Sequence, residues 1–223
     1  MKMSWRKCFY ILLGLGVLVI LGALYLLHLI QTVPEAYEQE LNRPVSVHSK
    51  PVQTLLDTAD DVRKDLRLGY DLDYEITQDQ INAWLATNLK GNPRVSLPSG
   101  IENPRVILRD MTQTIYFTIV GSTFRSVISI ELSTKLAEEQ NVIELKIQSI
   151  HAGNLLIRLK RVFDEIESAM AQSGIDFRWK PGTDRTVAVV RIPSKVRVKR
   201  ERELQIEELD FRVGSVRVTA VVD

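Results

Sequence analysis

"IQSIHAGNLLIRLKRVF" (residues 147–163) changes its period halfway through. Ile143, Leu145 and Ile147 alternate with polar residues, as in a half-buried strand, whereas the residues after Gly153 repeat at helical spacing. Gly153 lets the backbone turn without a Cβ clash. Leu155, Leu156, Leu159, Val162, Phe163, Ile166, Ala169 and Met170 then define one broad apolar helix face, which Ser173 and Gly174 close. A strand that hands over to such a helix through a bare His-Ala-Gly predicts a sheet for the helix to cover.

The flanking sequence supplies that sheet. Val106 and Leu108, then Ile115, Phe117 and Ile119, then Ile128, Ile130 and Leu132, precede the set at 143–147, with turn signals at Gly121-Ser122 and at 138–141. Connections this short require an antiparallel meander. Downstream, "IDFRWK" and "TVAVVRIP" read as a strand pair around Lys180-Pro181-Gly182, and residues 195–223 hold two alternating segments joined near Gly214. Upstream, Leu72, Tyr74 and Ile76 alternate, and Thr77 with Gln80 forms a capping box. The helix that follows carries Ile81, Trp84, Leu85 and Leu89 on one face and stops at Gly91, while Leu55, Leu56, Ala59, Val62 and Leu66 mark another helical face.

The chain has 223 residues, 45% hydrophobic and 26% charged, enough for one domain with a core and an accessory segment. Residues 8–30 contain no Asp, Glu, Lys or Arg. At about 1.5 Å per residue this run can cross a hydrocarbon layer of about 30 Å, which predicts a transmembrane helix. No small-x-small exit follows, so a retained anchor is expected in place of a cleaved signal. Lys2, Arg6 and Lys7 before the run, against Glu35, Glu38 and Glu40 after it, predict a cytoplasmic N-terminus and a domain outside the cytoplasm. The expected layout is a cytoplasmic tail (1–7), an anchor (8–31), a tether (32–52) holding a short helix around 35–41, and an extracytoplasmic domain (53–223).

Net charge is +1, and setting aside the three basic residues before the anchor leaves −2, which gives no general nucleic-acid footprint. The single cysteine, Cys8, excludes an internal disulfide. It reads as an acylation site or as a plain packing thiol.

Motifs for chemistry are sparse. HExxH, GxSxG, P-loop and GxGxxG patterns are absent from the sequence. His151 has no motif-spaced ligand or base partner, so it reads as a turn histidine before a catalytic or metal-binding one. Asp71, Asp73 and Glu75 project from one strand face, as a cation ladder or as a solvated face, and lack the spacing of a calcium loop. Lys195, Arg197 and Lys199 share one side of the most basic stretch. They offer contact to an anionic surface or protect an edge strand. No catalytic residue, cofactor or metal site is expected, and the protein is expected not to be an enzyme.

The order of an apolar anchor, "ITQDQINAWLATNL", an alternating meander and "IQSIHAGNLLIRL" resembles the YpmS-like group of bacterial single-pass membrane proteins. Their helix start, a threonine, an asparagine five residues on and a leucine three further, is matched by Thr77, Asn82 and Leu85. Their glycine-leucine strand exit is matched by Gly153, Leu155, Leu156 and Leu159. Ile157 and Arg158 stand where proline is common in that group. The likeness covers most of 34–222, and such proteins are similar in turn to tubular lipid-binding (BPI-like) domains.

The resemblance implies an α+β fold: an N-terminal transmembrane helix, then a curved antiparallel sheet packed on amphipathic helices. It also implies the bacterial cytoplasmic membrane as the location. Two functions stay open. In the first, a lipid or another amphiphile lies in an apolar groove lined by Ile128, Ile130, Leu145, Ile147, Leu159, Phe163 and Ile166. In the second, the same residues fill a closed core and the domain is an envelope scaffold that recruits a protein partner, since inward apolar residues serve either arrangement.

Overall fold

The computed structural model describes residues 5–44, 48–89, 97, 100–121, 125–157, 160–172, 174–197 and 201–223. The chain opens with helices α1 (Trp5–Gln31), α2 (Glu35–Leu41) and α3 (Ser49–Leu68), then strand β1 (Leu72–Thr77) and helix α4 (Gln78–Thr87). The meander follows as β2 (Ile101–Arg109), β3 (Thr112–Val120), β4 (Arg125–Leu136) and β5 (Val142–Ala152). After it come β6 (Leu155–Leu156), α5 (Lys160–Gln172), β7 (Asp176–Trp179), β8 (Val187–Arg191), β9 (Lys195–Arg197), β10 (Glu201–Arg212) and β11 (Ser215–Val222).

The fold is α+β, with curled antiparallel sheet and a few helices. The larger sheet runs β2-β3-β4-β5-β8-β7 and the smaller one β1-β11-β10-β9. The alternating sets at 106–108, 115–119, 128–132 and 143–147 are its four consecutive antiparallel strands, as their short connections require. The later strand pair joins the same sheet by an unexpected route. β6 covers only His151 and Ala152 of β5, which leaves the edge of Val142–Lys146 free for β8.

Strict alternation fails inside the opening stretch, where Ile147 and Ile150 are three apart and would face opposite ways. The structure resolves this with a bulge: Glu131 pairs with Ser149 and Leu132 with Ile147, so Gln148 is the extra residue. The parity change puts Ile143, Leu145 and Ile147 on the same face as Ile150 and Ala152. Further register shifts occur at Glu102/Arg105 in β2 and at Ile206/Glu208 in β10. Bulges bend and over-twist a strand, which is a physical source of the curl.

The helix expected to begin at Leu155 starts at Lys160 instead. Leu155 and Leu156 pair with Ala152 and His151 across a two-residue turn, with Gly153 at φ +56°. A hairpin needs a positive φ at such a turn, and Gly supplies it. Residues from the expected tether also prove structured. α3 begins at Ser49, with Pro51 in its first turn where a missing N–H costs nothing. Val62 and Leu66 cover Leu72, Ala220 and Val222, whereas Leu56 and Ala59 are exposed.

The capping box at α4 has both bonds, Gln80 N–H to Thr77 Oγ1 at 3.2 Å and Thr77 N–H to Gln80 Oε1 at 2.7 Å. Thr77→Ala should lower stability by about 1 kcal/mol in urea unfolding. The helix ends at Thr87 with Asn88 as its cap, and Gly91 lies outside the described residues.

Two buried amides hold strands by their backbone, one from α4 to β2 and one from the β4–β5 turn to β10. Asn82, 1% exposed, donates from Nδ2 to Val106 O and accepts Val106 N–H on Oδ1, both at 2.8 Å. Asn141 treats β10 the same way, donating to Leu204 O at 2.6 Å and accepting Ile206 N–H at 2.8 Å. Each side chain stands in for one residue of a neighbouring strand.

Candidate functional site

The larger sheet presents one apolar face built from alternate residues. Ile128, Ile130, Ile150 and Ala152 form its buried centre, and Phe117, Ile119, Leu132, Ile147, Ile157, Phe163 and Ile166 pack around them. Of the expected groove residues, Ile128, Ile130, Ile147, Phe163 and Ile166 thus meet in one cluster. Leu145, half-buried, lies further along β5 opposite Thr134 and Ala188, and Leu159 lies outside the described residues. α5 is placed on this face by Phe163, which meets Trp179 of β7 edge-on at 5.2 Å. Trp179 also meets Phe177 edge-on at 5.0 Å.

One member of the cluster comes from far away in sequence. Ile30, in the last turn of α1, packs against the same centre. The last turn of a helix leaves its carbonyls without partners. Here the domain supplies them: Asn154 N–H donates to Leu29 O at 2.9 Å and Ser126 Oγ to Ile30 O at 2.8 Å. Thr32 Oγ1 donates to His28 O at 3.0 Å.

Gly153 is the reason the two can approach. A Cβ there would stand 2.2 Å from Leu29 O and 2.7 Å from Ile30 O. The bare His-Ala-Gly therefore marks a turn against which α1 ends. Sequence reading had the turn but not the close approach, because nothing local announces a partner some 120 residues upstream.

Beyond this joint the described side chains of α1 are exposed. Its large apolar residues from Leu18 to Leu27 are between 48% and 68% exposed. Over the residues whose side chains are described, no single helix is long and apolar enough to cross a membrane. The pair Leu18–Gln31 and Glu35–Leu41, bent by 46°, meets that test together. The second member of the pair belongs to the domain: Tyr37 is fully buried and stacks on Tyr116 at 5.5 Å, with Val127, Leu41 and Ile107 around them.

Tyr37 sits in a buried polar region on the opposite face of the sheet. Its hydroxyl donates to Asn103 O at 2.9 Å and meets Thr118 Oγ1 at 2.9 Å. Burial pushes the phenol up from its ordinary range and pulls the Arg105 guanidinium down. Arg105 Nε and Glu40 Oε2 are buried without a partner. One Tyr among the three Glu of "EAYEQEL" gives no sequence signal for this.

Hollows open to solvent occur among the described residues. One, of about 410 Å³, lies between β10 and the β4–β5 pair and is walled by Glu144, Lys135, Thr134, Leu209 and Phe211. Another, of about 690 Å³, lies where α1 meets α2 and the ends of β3 and β4.

Glu144 accepts from Lys180 at 2.5 Å and lies 3.2 Å from Lys135, and these hydrogen bonds hold its carboxyl below the usual range. A lowered folded-state value stabilises the fold fully above the ordinary carboxylate range, and this is lost as pH falls through the lowered value. Glu144→Gln should therefore flatten the acid limb of a pH–stability curve followed by tryptophan fluorescence, leaving the slope above neutrality unchanged.

The basic stretch is placed on β9, an edge strand. Lys195 pairs with Glu201 at 2.8 Å, Arg197 pairs through its backbone with Glu201, and Lys199 lies outside the described residues. Edge protection by charge fits this arrangement. Asp71, Asp73 and Glu75 are exposed. Asp73 is held by a two-pronged contact from Arg217 at 2.7 and 2.6 Å, which lowers its carboxyl from the usual range. His151 Nδ1 lies 3.5 Å from Ser149 Oγ. Among the described residues no group of three or more His, Cys, Asp or Glu is placed to hold a metal ion.

No family model, curated protein or solved structure matches this chain.

Proposed function

We propose that this is a single-pass membrane protein whose α1 crosses the bacterial cytoplasmic membrane with its N-terminus inside. Its extracytoplasmic domain takes up a lipid or another amphiphile between the sheet and α5, without catalysis and without a cofactor. One observation carries the reading: the apolar face of the sheet is continuous, through Ile30, with the apolar surface of α1. Twenty-seven helical residues reach about 40 Å, more than a hydrocarbon layer of about 30 Å needs. A helix apolar on every side stays in water only at great cost, which a bilayer removes. An acyl chain leaving the bilayer at Ile30 would meet Ile128, Ile130 and Ile147 next, with α5 as the element that moves aside.

A second reading has its own support. Ile128 and Ile130 are only 3% and 5% exposed, as in a filled core, and this favours an envelope scaffold that recruits a protein partner. The likeness to YpmS-like and BPI-like proteins belongs with the first reading. A reporter fused to the C-terminus and active only outside the cytoplasm should be active; activity of a cytoplasm-only reporter would overturn the topology.

A further inference from the structure

We propose that the cleft at the foot of α1 holds one anionic phospholipid from the leaflet that the helix leaves. Its phosphate would rest on Arg125, and its glycerol and upper acyl carbons on Val33, Leu41, Val120 and Val127. The proposal rests on the anchor reading and is independent of the groove beneath α5.

Position comes first. Gln31 and Val33 form one wall of the cleft, one to four residues beyond the Leu29 and Ile30 carbonyls that the domain fixes. At about 1.5 Å per residue the wall lies within ~5 Å of the helix's last turn, at head-group level if α1 crosses the bilayer. The apolar flank of α1, with Leu27 and Leu24 exposed, leads directly to it.

Chemistry comes second. The described lining is mostly apolar and has Arg125 as its one charged residue. Thr118 is engaged with Tyr37, and Ser126 with Ile30 O, which leaves Arg125 and Gln31 for a head group. Arg125 is 64% exposed and, among the described residues, pairs only with Glu102, itself exposed, at 3.5 Å. Such a loose pair exchanges readily for a phosphate, whose oxygens match the guanidinium fork.

Shape comes third. About 690 Å³ is within the size range of small-molecule sites, enough for a head group and glycerol while the tails stay along α1. The floor is already set, because Tyr37 is fixed by Tyr116, Asn103 and Thr118.

The test uses the full chain in nanodiscs of phosphatidylcholine mixed with phosphatidylglycerol, followed by release and mass spectrometry of the lipid that stays bound. The wild-type chain should retain phosphatidylglycerol in preference to phosphatidylcholine. Arg125→Ala should reduce that preference about fivefold, and Arg125→Lys should restore part of it. Val120→Trp, which fills the cleft from an exposed position, should reduce retention of both lipids. Equal retention of the two lipids by the wild type, or an unchanged preference in Arg125→Ala, would overturn the site. Alkaline extraction of membranes separates the two levels: a chain that washes off ends the anchor reading and the cleft with it. A chain that stays without preference ends only the cleft.

Discussion

Gly153→Ala is expected to be the most damaging added methyl among the described glycines, at roughly 3 kcal/mol. Two independent costs add. A left-handed φ costs an alanine about 1–2 kcal/mol, and the new Cβ, 2.2 Å from Leu29 O, must push the end of α1 away. That displacement breaks the bonds from Asn154 N–H and Ser126 Oγ, each worth about 1 kcal/mol. Gly182→Ala provides the control. Its φ of +78° carries the first cost, while nothing lies within 4 Å of the added methyl. Denaturant unfolding of the detergent-solubilised chain should show Gly153→Ala well below Gly182→Ala, and protease should cut residues 32–34 faster in the former. Equal effects of the two substitutions would mean that α1 does not end against this turn.

Asn82→Ala is expected to cost about 3 kcal/mol or more. It leaves both the N–H and the C=O of Val106 without their partner at a site that is 1% exposed, and each buried unpaired group costs about 1–3 kcal/mol. Asn82→Asp keeps the acceptor for Val106 N–H but turns an oxygen toward Val106 O, so it should not rescue the loss. Urea unfolding midpoints of the two variants decide the matter. A change below about 0.5 kcal/mol in Asn82→Ala would show that the amide does not hold β2.

What the sequence made legible follows from period and punctuation. The alternating sets at 115–119, 128–132 and 143–147 became β3, β4 and β5, and Thr77 with Gln80 became the capping box of α4. These signals are local, and local backbone bonding obeys them. Three features were not legible. Gln148 looks like any polar residue, yet as a bulge it changes which face Ile147 shares. Leu155 and Leu156 fit a helical stripe, but the open edge of β5 captured them as β6. Asn82 and Asn141 satisfy backbone groups 24 and 63–65 residues away, a distance no window of sequence spans.

The same contrast holds for the candidate site. Five of the seven groove residues were picked from alternation and helical spacing alone, and they meet in one cluster. Ile30 was assigned to the anchor and Tyr37 to the tether, because an apolar run and a proline-bearing stretch give no hint of docking on a sheet. In the structure both side chains pack against residues of the larger sheet. A truncation to the expected domain, residues 53–223, would remove them, so any isolated domain should retain residues from Leu29 onward.

The most direct measurement is lipid mass spectrometry on the full chain purified from bacterial membranes, comparing wild type with Ile166→Trp and Phe163→Trp, two cluster residues of α5, at equal folded content. A stoichiometric lipid that survives exhaustive detergent washing, and that both substitutions displace, is the expected result. A folded wild-type chain that carries no such lipid and takes none up from vesicles would contradict the amphiphile-binding function, leaving the filled core formed around Ile128 and Ile130 as part of a scaffold.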